Sequence, residues 1–144
     1  MKIKDLQSEL ESNGVYFTHL VKELIYALMK AKKPLSIIEL REIFKGNGYC
    51  PNPTSIYRQL NRMSGLGFVE ESLFADGIKR FCFIYNKNHH HHFECNKCGY
   101  IENVPMKTCS EVARGVSNRL KRSGHKITSH SFTLKGLCSK CVCS

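Results

Sequence analysis

The first half of the chain has apolar residues at the spacing of amphipathic helices. The pattern predicts a helix over about 18–32, and a second that begins at a capping box formed by Ser36 and Glu39. A third helix is predicted over about 53–65, after an N-cap at Asn52. The remaining faces of these segments are polar, so we expect a helical bundle with one buried side.

Two β-rich runs follow the helices, over about 67–72 and 78–85. The pair Asp76-Gly77 lies between them and is typical of a hairpin turn. Three helices followed by a hairpin predict a winged helix-turn-helix, in which the third helix enters the major groove of DNA.

The second half changes in character after a polar, turn-prone segment. We predict a winged-helix domain over about 1–85, a linker over about 86–88 and a second domain over about 89–144. A helix over about 106–123 and a strand over about 126–134 are predicted in the second domain. The predicted fold class is therefore α+β, with an N-terminal winged helix-turn-helix domain and a C-terminal α/β domain.

Charge suggests what the protein binds. The chain has 144 residues, 42% of them hydrophobic, and a formal net charge of +10. A basic excess of this size favours a polyanionic partner such as nucleic acid, although a merely solvated basic surface has the same composition. The sequence contains neither a signal peptide nor a long apolar run, so we expect a cytoplasmic protein with no membrane partner.

Cysteine spacing predicts a metal site. Six of the eight cysteines follow residue 90, and two C-x-x-C pairs occur at Cys95/Cys98 and Cys138/Cys141. A single pair also fits a redox motif, but two pairs in a chain without an export signal predict a tetrahedral four-cysteine zinc site. Such a site leaves no position for water, so the zinc is expected to be structural.

Four consecutive histidines, His89–His92, form the second candidate metal site. If the run is extended, His90 and His92 point to one side and His89 and His91 to the other. Histidine ligands titrate near neutral pH, which suits reversible metal sensing better than permanent binding. The alternative is a solvated polar loop.

These features together resemble the ferric uptake regulator family of metal-dependent bacterial repressors. The resemblance rests on 55–60 (Ser-Ile-Tyr-Arg-Gln-Leu), the hairpin glycine followed by Lys79-Arg80-Phe81, and the histidine run ahead of the cysteine pairs. It implies a C-terminal dimerisation domain and a homodimer that binds palindromic operator DNA when loaded with metal.

The resemblance also implies DNA-contacting residues on the recognition helix. Tyr57 and Arg58 are the main candidates there, with Ser55 and Arg62 beside them. Lys22 is the candidate for the phosphate-contacting arginine of the family. The alternative for Arg58 and Arg62 is a solvated helix face.

A regulatory metal site is implied between the histidine run and the hairpin. The family uses two histidines matching His90 and His92, with a carboxylate where this chain has Cys82. Because thiolate favours Zn²⁺ over Fe²⁺, the chain is most similar to the zinc uptake regulator branch. We predict Glu71 as the fourth ligand. An iron- or peroxide-responsive repressor, with Fe²⁺ or Mn²⁺ at this site, is the alternative.

The resemblance implies one further metal site, formed by His89, His91 and His130 with Glu111. Rivals from other classes are a zinc hydrolase and a metal-storage protein. The hydrolase is disfavoured because the chain has no His-Glu-x-x-His sequence, and storage would need no recognition helix. We therefore expect a regulator and not an enzyme.

Overall fold

The computed structural model describes residues 3–84, 91–104, 109–127 and 130–143, without the side chains of residues 3 and 109–112. The chain divides by compactness into two units, Met1–His89 and His90–Ser144. The predicted linker 86–88 lies outside the described residues. The chain contains both helices and β-sheets, and the predicted α+β class is confirmed.

Unit 1 contains the predicted helices and hairpin, preceded by a helix that the sequence pattern did not predict. Its elements are α1 (Ile3–Ser12), α2 (His19–Lys30), α3 (Ile37–Gly46), α4 (Pro53–Gly65), β1 (Val69–Leu73) and β2 (Lys79–Phe83). Leu6 and Leu10 of α1 are buried and belong to the core. The unpredicted helix is therefore part of the domain and not an appendage.

Local chemistry fixes where these helices begin. The Thr18 hydroxyl accepts a hydrogen bond from the Val21 amide at the start of α2. The predicted capping box is present at α3, where Ser36 and Glu39 each cap the other's backbone amide. Asn52 caps α4, as predicted. Each cap satisfies a backbone donor that the helix leaves unpaired.

The core of unit 1 is apolar and closed. The predicted stripe of α4, Ile56, Leu60 and Met63, is completely buried. It packs in one cluster with Phe44 of α3 and Phe81 of β2. The burial leaves the opposite face of α4 to solvent.

The hairpin that follows α4 is antiparallel and turns at Asp76-Gly77. Gly77 has a φ of 75°, and the Ile78 amide donates to the Asp76 carboxylate at 2.9 Å. Leu35 pairs with Phe81 through two backbone hydrogen bonds, which ties the hairpin to the segment ahead of α3. Helices, hairpin and this bridge form the predicted winged helix-turn-helix.

The described residues of unit 2 form a small three-stranded sheet and two helices. Its elements are β3 (His91–Cys95), β4 (Ile101–Val104), α5 (Cys109–Arg122), β5 (Thr133–Gly136) and α6 (Ser139–Val142). β3 is the central strand, antiparallel to β4 and parallel to β5.

Several elements of unit 2 differ from expectation, and one of them is α6, a four-residue helix that the sequence did not predict. The strand predicted from about residue 126 begins only at Thr133, because its pairing with β3 begins there, opposite His92. β4 was not predicted, since it has four residues and only Ile101 among them is buried. In the described part of the chain, no helix is both long and apolar enough to cross a membrane.

Candidate metal centres and DNA-recognition surface

The four predicted zinc ligands converge at one end of the sheet in unit 2. Cys95 ends β3, and the turn after it carries Cys98 and continues through Gly99, which has a φ of 71°. Cys138 precedes α6 and Cys141 lies within it. The four Sγ atoms all lie within 4.8 Å of one another, and those of Cys98 and Cys138 are 3.6 Å apart. Thiolates around a tetrahedral zinc are separated by about 3.8 Å, so the cluster fits this ion.

The electrostatics of this cluster also favour a bound cation. The Cys138 amide donates to Cys95 Sγ at 3.3 Å, and this bond is the main reason that the pKa of Cys95 falls to about 6. Hydrogen bonding to the Cys138 thiol raises the pKa of Cys141 to about 12. The Cys141 thiol therefore stays protonated at neutral pH unless a cation replaces its proton.

The hairpin of unit 1 contains a second group of possible metal ligands. Its strand register differs from the predicted pairing of Glu71 with Cys82. The register of β1 and β2 places Glu70, and not Glu71, opposite Cys82. A carboxylate oxygen of Glu70 and the Cys82 Sγ lie within 4.8 Å of each other. Because strand side chains alternate, Glu71 lies on the other face, where its carboxylate contacts Lys79 Nζ at 2.6 Å. The prediction of Glu71 as a partner of Cys82 is therefore wrong.

Cys82 is a buried thiol beside a carboxylate. Burial is the largest cause of a pKa raised to about 12, and the charge of Glu70 adds to it. A thiol in this state is protonated at neutral pH, so it becomes a thiolate only when a cation replaces the proton. The pair can therefore act as half of a metal site.

His92 is the described member of the predicted regulatory histidines; His90 lies outside the described residues. The His92 ring is buried, and its Nδ1 lies 3.2 Å from the Asn103 Oδ1 on the neighbouring strand β4. A carbonyl oxygen only accepts hydrogen bonds, so this contact selects the tautomer protonated at Nδ1. The lone pair then lies on Nε2, the form in which histidine binds metal.

The predicted further site is described only in part. His91 and His130 have stacked rings with centroids 5.9 Å apart, next to Phe132. The Phe132 amide donates to His91 Nδ1 at 3.1 Å, which selects the tautomer protonated at Nε2. Metal binding through Nε2 would require the proton to move to Nδ1 and the hydrogen bond from the Phe132 amide to break. His89 and the Glu111 side chain lie outside the described part, and the site stays a prediction.

The predicted DNA-contacting residues of α4 lie off its buried stripe. Tyr57 and Arg58 are exposed, and Ser55 is half-buried. Arg62 is exposed too, but its guanidinium lies beside Gly14, in the connection between α1 and α2. Arg58 is therefore the charged side chain of this group that is best placed to enter a groove.

Two lysines of unit 1, Lys22 and Lys79, contact an aromatic and an acidic side chain respectively. Lys22, on α2, lies over the Tyr26 ring with its Nζ 5.9 Å from the centroid, and is exposed to solvent. The pKa of Lys79 is raised, first by its bond to Glu71 and also by Tyr57. Lys79 of the wing therefore lies near Tyr57 of α4, a proximity that sequence spacing does not reveal.

A wing attached to a helix-turn-helix, followed by a cysteine metal cluster, defines a class of metal-linked DNA-binding regulators. The sequence pattern of the Ferric uptake regulator family matches residues 12–135. The chain belongs to this family, whose members are transcription regulators and not enzymes, and the resemblance noted from the sequence is confirmed.

Relatives agree with this assignment. The Ferric uptake regulation protein of Bacillus subtilis is 27% identical over 125 residues, which cover 85% of this chain and 72% of the relative. The Peroxide operon regulator of the same organism is 21% identical over 140 residues, covering 97% and 93%. The ferric uptake regulator of Helicobacter pylori, described as having three functional metal-binding sites, has a TM-score of 0.73 at 21% identity, covering 97% and 91%. This last likeness concerns the fold.

Proposed function

We propose that this chain is a zinc-responsive transcriptional repressor that binds palindromic operator DNA as a metal-loaded homodimer in the cytoplasm. The observation that carries the proposal is the buried Cys82 thiol opposite Glu70 in the hairpin. A soft sulfur ligand at the regulatory position favours Zn²⁺, whereas ligand sets of oxygen and nitrogen alone suit Fe²⁺ and Mn²⁺ better.

Two metal ions have distinct roles in this proposal. A structural zinc is held by Cys95, Cys98, Cys138 and Cys141. The regulatory zinc takes Cys82, His90 and His92, and Glu70 replaces Glu71 as the fourth ligand. The regulatory zinc would supply a fixed connection between wing residues and the start of β3, and so select a DNA-competent arrangement among those that the protein samples.

The DNA-binding part of the proposal is supported by the exposed face of α4. Tyr57 and Arg58 would contact the operator, with Ser55, Arg62 and Lys22 in supporting positions. The homodimer is supported by apolar side chains that unit 2 leaves exposed on α5, of which Val116 is 60% exposed. Such side chains are typical of a surface that a second subunit covers.

The test begins by selecting operator sequences from a random duplex library with the zinc-loaded protein. Cys82→Ser removes the thiolate at nearly constant volume, so zinc-activated binding to the selected operator should be lost or shifted to much higher zinc. Cys82→Asp should narrow the preference for Zn²⁺ over Fe²⁺ or Mn²⁺. The matched control is Cys50→Ser, at an exposed cysteine, which should leave the metal response unchanged.

Two measurements separate a ligand from a core residue. Co²⁺ at the regulatory site should show thiolate-to-metal absorption that disappears in Cys82→Ser. Glu70→Gln should weaken the metal response, whereas Glu71→Gln should not, because the two carboxylates lie on opposite faces of the hairpin. Cobalt absorption that does not depend on Cys82 would overturn the zinc assignment.

The second candidate is an iron- or peroxide-responsive repressor. The names of the Bacillus subtilis relatives favour it, since one is a ferric uptake and the other a peroxide regulator. In that case Fe²⁺ or Mn²⁺ should activate operator binding at least as well as Zn²⁺, in wild type and in Cys82→Ser alike.

A further inference from the structure

A basic surface in unit 2 is not used by the function proposed above. Residues 112–144 contain no aspartate or glutamate, but they contain seven lysines and arginines: Arg114, Arg119, Lys121, Arg122, Lys126, Lys135 and Lys140. All seven are exposed. The basic excess is greatest at the end of α5 and in the turn beyond it, where Lys121, Arg122 and Lys126 lie close together in sequence.

The end of α5 separates its charged side chains from its apolar ones. At 3.6 residues per turn, Lys121 and Arg122 lie about 120° to 140° around the helix from the direction of Val116 and Leu120. These two apolar side chains are 60% and 38% exposed. A second subunit that covers the apolar side would therefore leave the basic side open to solvent.

No ion pair neutralises the charges at the end of α5 in the described part of the chain. In the described part of the chain, Lys121, Arg122 and Lys126 take part in no ion pair, whereas Lys79 and Arg80 of unit 1 each contact a carboxylate. The only acidic residue of α5 is Glu111, in its first turn. Lys121 is ten residues further on, or about 15 Å along the axis, which exceeds the screening length of about 8 Å at physiological salt.

The helix dipole accounts for only part of this pattern. Basic side chains in a last helical turn interact favourably with the carbonyl end of the helix. Lys126, however, lies beyond the end of α5, and the absence of acidic residues extends over the whole remainder of the chain. A surface that only balanced a dipole would not require either feature.

We propose that the face formed by Arg114, Lys121, Arg122 and Lys126, the α5 basic face, binds the phosphate backbone of duplex DNA without reading its sequence. The proposal rests on the DNA-binding function proposed above and adds a contact outside the winged helix. Lysine and arginine contacts to phosphate contribute affinity and register, and they release counterions, so the binding depends on salt. The recognition helix keeps the role of reading bases.

The test uses the zinc-loaded full chain and a random-sequence duplex of 40 base pairs. Lys121→Gln/Arg122→Gln removes two charges from the α5 basic face, and Lys30→Gln/Lys32→Gln removes two exposed charges at the end of α2 as a matched control. Affinity is measured over a series of salt concentrations. The α5 variant should show a slope of log K against log salt that is less steep by about 1 to 2. Its dimer and zinc content should stay at wild-type values.

Three results would overturn the inference. One is an unchanged salt slope in the α5 variant. Another is an equal change in the α2 control, since that would reflect net charge and not a local surface. The third concerns single-stranded RNA and anionic vesicles, tested in place of the duplex. If the α5 variant loses affinity only for one of these, the face binds another polyanion.

The salt slope on the random duplex is measured separately from sequence-specific binding, so the two proposals can fail independently. Preference for a selected operator over the random duplex is measured in the same series, and it should survive in the α5 variant. If the wild type shows no such preference, the proposed repressor function fails, whatever the salt slopes are.

Discussion

The two units of this chain achieve a stable fold by different means. Unit 1 has a continuous apolar core, to which helices α1 to α4 and strands β1 and β2 all contribute. In the described part of unit 2, only Cys95 and Ile101 are buried apolar residues, and the other buried side chains include His91 and His92. So small an apolar core stabilises a fold only weakly. The binding free energy of a metal ion would add to the stability of unit 2.

The difference indicates a division of labour. A unit with its own core keeps its shape whether or not metal is present, which suits a surface that must match a DNA groove. A unit that depends on metal ligands responds to its surroundings, because its stability includes the binding free energy of the ion. We expect metal depletion to act first on unit 2.

The largest effect should come from breaking the cysteine cluster. Cys138→Ser removes one of four converging ligands, so unit 2 should release its zinc and lose its dimer, while the melting transition of unit 1 persists. Elemental analysis, sizing chromatography and thermal melting measure these changes. Cys143→Ser, at an exposed cysteine two residues after Cys141, is the control and should behave as wild type. A zinc-loaded dimer of Cys138→Ser would contradict the structural role.

The converse change tests the core of unit 1. Leu60 is completely buried, and Leu60→Ala should lower the free energy of unfolding of this unit by about 2–5 kcal/mol. Zinc content should stay the same, because the ligands of the cluster belong to unit 2. Leu66→Ala, at a side chain that is 40% exposed, should change stability by only about 0.5 kcal/mol or less. Denaturant unfolding separates the two variants, and equal losses would argue against a closed core.

A smaller effect is expected on the DNA-facing side of unit 1. Arg58→Ala should reduce operator affinity by about 1–3 kcal/mol if the guanidinium contacts a base, since its side chain is exposed and off the buried stripe. Stability and zinc content should not change. Lys4→Ala, which removes an exposed charge from α1, is the control. Wild-type affinity of Arg58→Ala in a mobility-shift titration would exclude the groove contact.

The smallest effect concerns the tip of the wing. Arg80 donates two hydrogen bonds to Asp76, at 2.7 and 3.0 Å, and these bonds are the main reason that the pKa of Asp76 falls to about 2. A folded-state pKa below the ordinary value means that the pair stabilises the fold above the ordinary pKa and loses this contribution as pH falls through about 2. Because Asp76 is exposed, the change in stability should be small.

The titration itself is the sensitive measurement for this pair. Carboxyl-carbon NMR should show Asp76 ionised well below the pH at which exposed aspartates titrate. Arg80→Lys replaces the planar two-pronged donor with a single ammonium and should move the Asp76 pKa upward. A titration of Asp76 at its ordinary value in the wild type would show that the ion pair does not persist in solution.

The sequence predicted unit 1 well where spacing and capping agreed. The capping residues Ser36 and Asn52 and the stripe of α4 were all found, because each signal is local. α1 was missed, although Leu6 and Leu10 lie on one face of a helix. The apolar spacing near the start of the chain was not interpreted as a helix. Burial of these side chains in the core stabilises the helix, and that burial is not visible in the sequence.

The main error at the candidate site came from strand register. Choosing between Glu70 and Glu71 requires knowing which residue of β1 lies opposite Cys82, and a shift of one residue moves every side chain to the other face. The length of the connection between the strands fixes this register, and composition alone does not reveal it. The Asn103 contact to His92 was missed for a related reason, because β4 itself was not predicted.

The cysteine cluster also has a consequence for protein synthesis. Cys98 and Cys138 meet in the fold although 40 positions separate them in the chain. At about 5–20 residues per second, a ribosome needs about 2 to 8 s to make that interval. During these seconds, Cys95 and Cys98 lack the other two ligands and can be oxidised or bind a different metal ion. Unit 1 can begin folding before then, so we expect supply of the correct ion during translation to limit the yield of the mature second unit.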